Sequence, residues 1–142
     1  MEIDDVTGAI VDSAVKLHMR MGPGLLESVY EQLLAAALTR RGLTVARQVA
    51  VDVMDEGETF SAAFRIDLLV ERKVIVEIKS VERLSAVHGK QLTTYLRLTG
   101  LRVGLLINFN VAILKDGIQR VVNGYEPSAS SRLRVNQKSS IE

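Results

Sequence analysis

Apolar residues recur along this chain with two periods, and the switches between them mark its elements. Val6, Ile10, Ala14 and Leu17 stand at helical spacing and predict a helix over residues 4–20. Gly22-Pro23-Gly24 ends that run. A second stripe, from Leu26 and Val29 to Leu34 and Leu38, predicts a helix over about 25–41 that stops at Gly42. Strand patterns follow at 43–54, 58–70 and 73–80, joined by Glu56-Gly57 and by a charged turn. A third helix is predicted over 86–99, ending at Gly100. The run 102–108 is nearly all apolar, as a strand covered on both faces would be. A weak hairpin is predicted over 111–122, around Asp116-Gly117. From Glu126 onward Pro, Ser, Arg and Lys dominate, which predicts a disordered tail over 126–142. The order implies an α/β domain over 1–125 with a mixed sheet. Strand 73–80, helix 86–99 and strand 102–108 form a right-handed parallel crossover, and 58–80 adds an antiparallel hairpin.

That hairpin carries the most unusual charges of the chain. Its two apolar strands are interrupted by Asp67, Glu77 and Lys79. A three-residue turn at Glu71-Arg72-Lys73 pairs Val70 with Val74. Ile66, Leu68, Val70, Val74, Val76 and Ile78 then share one wholly apolar face. The other face carries Arg65, Asp67, Leu69, Ile75, Glu77 and Lys79. A two-residue turn would mix the sets, and a one-residue slip flips every side chain, so the first register is favoured. It sets Asp67 across from Glu77, with Cβ atoms roughly 5 Å apart. Burying an unpaired charge is strongly unfavourable. Two carboxylates at that distance can instead grip one hard cation, which takes oxygen ligands at about 2.1 Å if it is magnesium. Lys79 lies two residues on and points the same way. A solvated face with a cross-strand ion pair would show the same charges. Leu69 and Ile75 beside them argue that something covers this face.

Composition narrows the function classes. The 142 residues make one ordinary domain, and a net charge of +1 gives no global basic field. A nucleic-acid partner would need a local patch. Without cysteine there is no disulfide, thiolate ligand or thiol nucleophile. The acidic start Met-Glu-Ile-Asp-Asp is not a signal peptide, and no apolar run approaches a membrane span. The expected compartment is the cytoplasm, with no membrane partner. There is no Walker loop, no dinucleotide fingerprint and no His-Glu-x-x-His, and two histidines make no all-His zinc site.

Other residues admit two readings each. Glu27 stands in line with Leu34 and Leu38. It is either a first-turn acid complementing the helix dipole or a third carboxylate for the Asp67–Glu77 pair. His88, Gln91 and Tyr95 share a face of the third helix, as a polar edge with Tyr95 packing inward or as a set touching phosphate or the attacking water. Arg65 flanks Asp67 and suits a carboxylate or a phosphate equally. His18 has no helical neighbour to make a metal site and reads as a partly buried, hydrogen-bonded histidine.

Taken together, Asp67 with Glu77-Ile78-Lys79 resembles the core motif of the PD-(D/E)XK nuclease superfamily. Gly24-Leu25-Leu26-Glu27-Ser28-Val29-Tyr30 resembles the Gly-x-x-Glu-x-x-Tyr signature of the GxxExxY family within it. Gln91-Leu92-Thr93-Thr94-Tyr95 is similar to the Gln-x-x-x-Tyr helix of several nuclease branches. The run Gly104–Asn110 is similar to the segment that follows in GxxExxY proteins. The resemblance covers about residues 5–122, with one departure: Ile66, not proline, precedes Asp67. It implies a restriction-endonuclease-like αβββαβ core with an additional N-terminal helix. It implies a Mg²⁺- or Mn²⁺-dependent nuclease whose partner is nucleic acid, DNA foremost, with a homodimer as a route to cutting two strands. An inactive nucleic-acid-binding or regulatory module of the same fold is the alternative. The implied catalytic set is Glu27, Asp67, Glu77, Lys79 and Gln91. Glu27, Asp67, Glu77 and the Ile78 carbonyl would hold the metal, and Arg65, His88 and Tyr95 would support or touch substrate. Clustered carboxylates repel when empty, so their pKa values are expected to rise.

Overall fold

Helices α1 (Ile3–Met21) and α2 (Glu27–Arg40) cover one side of a five-stranded sheet, and α3 (Ala86–Thr99) covers the other. The structure is a computed structural model and describes residues 1–124. The tail predicted over 126–142 lies outside the described residues. The strands are β1 (Val45–Asp55), β2 (Glu58–Val70), β3 (Val74–Lys79), β4 (Val103–Asn108) and β5 (Ile118–Val122), and their spatial order is their chain order. β3 and β4 are parallel, joined through α3, and every other neighbouring pair is antiparallel. This is the mixed αβββαβ arrangement with an extra N-terminal helix.

Two apolar clusters sandwich the sheet. Leu68, Val76, Ile78, Leu105 and Ile107 meet Ile10 and Leu17 of α1 and Leu34 and Leu38 of α2. Ile75, Leu106 and Val121 meet Leu92 and Leu96 of α3. Alternate residues of β3 and β4 therefore feed opposite clusters, which is why β4 reads as a nearly continuous apolar run and β3 as one up to Glu77. Each fully buried leucine contributes roughly 2 kcal/mol. Gly104 lets α3 close on β4, because a Cβ there would stand 2.9 Å from the Leu92 side chain. Gly100 ends α3 in the left-handed conformation.

Two expectations are corrected. Residues 111–122 do not form a hairpin. Asp116-Gly117 sits in a single 3-10 turn (Leu114–Gly117), and the following strand β5 pairs with β4. An isolated two-stranded hairpin buries little, whereas pairing with β4 buries Val121 and Val122. Gly117 is required where it stands, since a Cβ would collide with the Asn108 carbonyl. Ile66 also leaves the face assigned to it. It packs with Ile75 and Leu92, while Leu68 packs in the other cluster. Side-chain alternation along β2 therefore breaks at Asp67.

Candidate active site

β2 and β3 form a regular antiparallel pair only beside their turn. Glu71 and Arg72 take φ of 54° and 55°, and the Lys73 N–H donates to the Val70 carbonyl. The ladder runs Val70 to Val74, Leu69 to Ile75 and Leu68 to Val76, as the three-residue turn requires. The next step brings Asp67 to Glu77, and there carboxylates replace backbone acceptors. The Asp67 N–H donates to Glu77 Oε2 at 2.9 Å, and the Ile78 N–H donates to Asp67 Oδ2 at 2.8 Å. Each acid accepts a backbone donor of the opposite strand, so the two are cross-tied.

Their surroundings make both acids reluctant to ionise. Glu77 is 6% exposed. Burial, and then the neighbouring Asp67 charge, push its carboxyl up to about 8. Asp67 is also raised, by burial first and with a contribution from the Glu31 charge. The Ile78 N–H, the Gln48 amide and the Lys79 charge oppose that rise. The half-buried Lys79 ammonium favours the charged form of both acids. It makes no hydrogen bond or ion pair among the described residues.

The N-terminus of α2 reaches the same place. Glu27 Oε2 accepts the Ser80 N–H at 3.0 Å, and Ser80 Oγ donates to the Leu25 carbonyl at 2.8 Å. Ser80 directly follows Lys79, so Glu27 is both a first-turn acid and a tether to the end of β3. Tyr30 explains the rest of the Gly24–Tyr30 pattern. It is fully buried, and its hydroxyl donates to the Gly22 carbonyl at 2.5 Å and accepts from the Leu25 N–H at 3.2 Å. Its ring stacks on Phe109, with centroids 4.3 Å apart. The loop it fastens turns at Gly24, whose φ of 104° suits glycine.

Glu27 nonetheless does not complete a three-carboxylate cluster. Among the described residues no three His, Cys, Asp or Glu side chains gather closely enough to hold a metal ion. The acid nearer the pair was missed by the sequence reading. Glu31, one helical turn beyond Glu27, is 5% exposed. Its charge acts on both Asp67 and Glu77. It accepts from Arg47 Nε at 3.0 Å and from Gln48 Nε2 at 2.7 Å, and Gln48 Nε2 also approaches Asp67 Oδ1 at 3.3 Å. The available signal was an acid four residues after Glu27, in line with buried Leu34 and Leu38. Glu27, Glu31, Gln48, Asp67, Ser80 and Asn110 line one cleft of about 700 Å³.

The residues of α3 are placed less uniformly. Tyr95 stacks on Phe64 at 4.0 Å, and its hydroxyl pKa is raised by burial and then by Glu77 and Asp67, so it lies within their field. His88 Nδ1 accepts the Ser85 N–H, which gives it a capping role at the start of α3. Gln91 is exposed, and its side chain makes no hydrogen bond among the described residues. Arg65 is exposed and donates to the Gln48 carbonyl at 3.4 Å. Asn108, also missed, is 2% exposed and ties β4 to Val81 beyond β3, accepting its N–H and donating to its carbonyl. His18 is buried and bonded to the Val111 carbonyl at 2.8 Å, a core histidine as expected.

The donor set at the acid pair fits a hard divalent cation. Every candidate ligand atom is oxygen, and a cation would offset the repulsion between two neighbouring carboxylates. Buried Glu77 Oε1 accepts no hydrogen bond among the described residues. No helix among the described residues is long and apolar enough to cross a membrane. No curated protein matches the chain. Among solved structures, the crystal structure of SSO0001 is similar with a TM-score of 0.48 and 22% identity, covering 75% of this chain and 55% of that one. The chain thus spans little more than half the length of that protein. The profile of the PD-(D/E)XK nuclease superfamily matches residues 4–121, from α1 through the acid pair into β5, and the chain belongs to that superfamily.

Proposed function

We propose that the chain, read as one nuclease domain over residues 1–125, hydrolyses phosphodiester bonds, DNA foremost, with Mg²⁺ or Mn²⁺. The observation that carries this reading is the cross-tied Asp67–Glu77 pair at the end of the β2–β3 ladder, with both carboxyls raised. Structural ion pairs rarely place two acids together in a buried site, whereas metal and catalytic sites do. Within the superfamily we place the chain in the GxxExxY family, on Gly24, Glu27 and Tyr30. The way Tyr30 fastens the loop that presents Glu27 supports that placement.

Asp67, Glu77 and the Ile78 carbonyl would hold the ion, and Glu27 would reach it through water. When bound, the ion lowers the pKa of a coordinated water and acts as a Lewis acid on phosphate. Lys79 orients or deprotonates the attacking water, or shields the phosphorus; its compact charge suits any of these. Gln91 positions water or phosphate from α3. Tyr95 braces α3 against the sheet, while Arg65 and His88 would support or touch substrate. A homodimer would let the chain address two strands.

Labelled single- and double-stranded DNA and RNA, titrated with Mg²⁺ or Mn²⁺, test the reading. Metal-dependent products that vanish in Asp67→Ala support it. Binding without products supports a nucleic-acid-binding module instead.

A further inference from the structure

β1 departs from regular strand geometry at one residue beside the acids. Gln48 has φ of 50°. Left-handed φ is uncommon for a non-glycine residue, and it persists only where the surroundings impose it. Alternation breaks there: Val45 packs in the first apolar cluster and Val49 in the second, although residues four apart on a strand share a face. The partner strand breaks alternation at the same level. Arg47 pairs with Leu68 and Val49 with Ile66, so Gln48 lies level with Asp67. The consequence is that the adjacent side chains of Arg47 and Gln48 both reach Glu31.

Glu31 determines how the Gln48 amide faces. An ionised carboxylate only accepts, so Nε2 must turn toward Glu31 Oε1, 2.7 Å away. The same nitrogen then has its second hydrogen for Asp67 Oδ1 at 3.3 Å. Asp67 Oδ2 is already held by the Ile78 N–H. One donor fixes one oxygen, and a second donor on the other oxygen fixes the carboxylate plane. Arg47 holds Glu31 from its far side through Nε and Nη2, both at 3.0 Å.

We propose that Gln48 is a positioning residue that sets the Asp67 carboxylate plane, with Glu31 and Arg47 holding its amide in the donating orientation. The inference rests on the nuclease reading and deepens it. Glu31 and Gln48 are absent from the ligand set and act through Asp67. The left-handed backbone at Gln48 is the feature that brings the amide to both acids at once.

Gln48→Gly in the full chain separates this role from a purely structural one. Glycine accepts φ of 50° freely, so Tm is expected at or above that of the parent. Mn²⁺ affinity by calorimetry should fall about 10- to 100-fold, as for other residues that orient a metal ligand. Cleavage should lose kcat with KM for DNA unchanged. Gln48→Asn tolerates the same backbone but is one methylene short, and it should show the same losses if the glycine variant fails to fold. In metal-free protein, NMR should show slow exchange of the Gln48 side-chain amide protons, lost in Glu31→Gln. A Gln48→Gly protein that binds Mn²⁺ and cuts like the parent overturns the inference, as do freely exchanging Gln48 amide protons in the parent. A parent that takes up no Mn²⁺ overturns the nuclease reading instead, and amide exchange then decides the network by itself.

Discussion

The two ends of the β2–β3 hairpin are built to opposite rules. At the turn end, Leu68, Val70, Val74 and Val76 are fully buried, and three consecutive residue pairs form a regular ladder. At the other end, two carboxylates accept the backbone N–H groups of Asp67 and Ile78, and alternation breaks in β2 and in β1 beside it. The first end gains by burying apolar surface. The second end buries acids that resist ionising, which lowers stability. Such a cost is a mark of function more than of folding, because apolar residues there would pack without it. The turn end fixes the register that brings the acids together.

The sharpest break of this comparison comes at the acid end. Asp67→Ala, Glu77→Ala or Lys79→Ala should each reduce metal-dependent cleavage to background in a labelled-DNA assay while circular dichroism shows the native fold. Persisting cleavage in Glu77→Ala, or unfolding in Lys79→Ala, would remove those assignments. At the turn end the outcome should reverse. Leu68→Ala leaves a cavity and should cost about 3 kcal/mol in urea denaturation, with Mn²⁺ affinity little changed.

Acidity distinguishes the ends next. Glu77 is raised from an ordinary 4.5 to about 8. Between those values the native protein retains a proton that the unfolded chain has released. The unfolded state then binds fewer protons, so metal-free stability from this group falls as pH rises from about 4.5 to about 8 and levels off above. Urea midpoints across that range should show the decline, and Glu77→Gln should flatten it. Saturating Mg²⁺ should flatten it too, because binding displaces the proton and stabilises the native state. A midpoint that rises with pH in metal-free protein would contradict the burial of this acid.

The smallest effect is expected at the loop that presents Glu27. Tyr30→Phe removes the hydroxyl from between the Gly22 carbonyl and the Leu25 N–H. It should cost about 1 kcal/mol and lower kcat modestly as Glu27 loses its fixed approach. An unchanged Tm with unchanged cleavage would mean that the tyrosine serves only through its ring stacked on Phe109.

Much of the fold was legible because local pattern and final burial agree. The three helices, the antiparallel β2–β3 hairpin with its Val70–Val74 register and the parallel β3–β4 crossover follow from periodicity, one charged turn and the handedness of crossovers. The errors fall where long-range contacts override local signals. Asp116-Gly117 resembles a hairpin turn, yet β4 offered residues 118–122 a better partner. Ile66 fits the apolar face by parity, but the break at Asp67 sends it to the α3 side. Glu31 looks like one more helical glutamate, and Gln48 like an ordinary strand residue. Their contact joins α2 to β1 across 17 positions of sequence, and no spacing rule reports it.

By itself the sequence determined the three helices, the apolar face shared by Leu68, Val70, Val74, Val76 and Ile78, and that Asp67, Glu77 and Lys79 stand at one end of a hairpin. Those properties depend on neighbours two to four positions apart, and periodicity records them directly. Only the tertiary structure decided that Glu31 rather than Glu27 is the acid buried beside the pair, and that the Gln48 amide spans Glu31 and Asp67. Those facts depend on how α2 is set against β1 and β2, and packing across layers fixes that placement with no trace in local spacing.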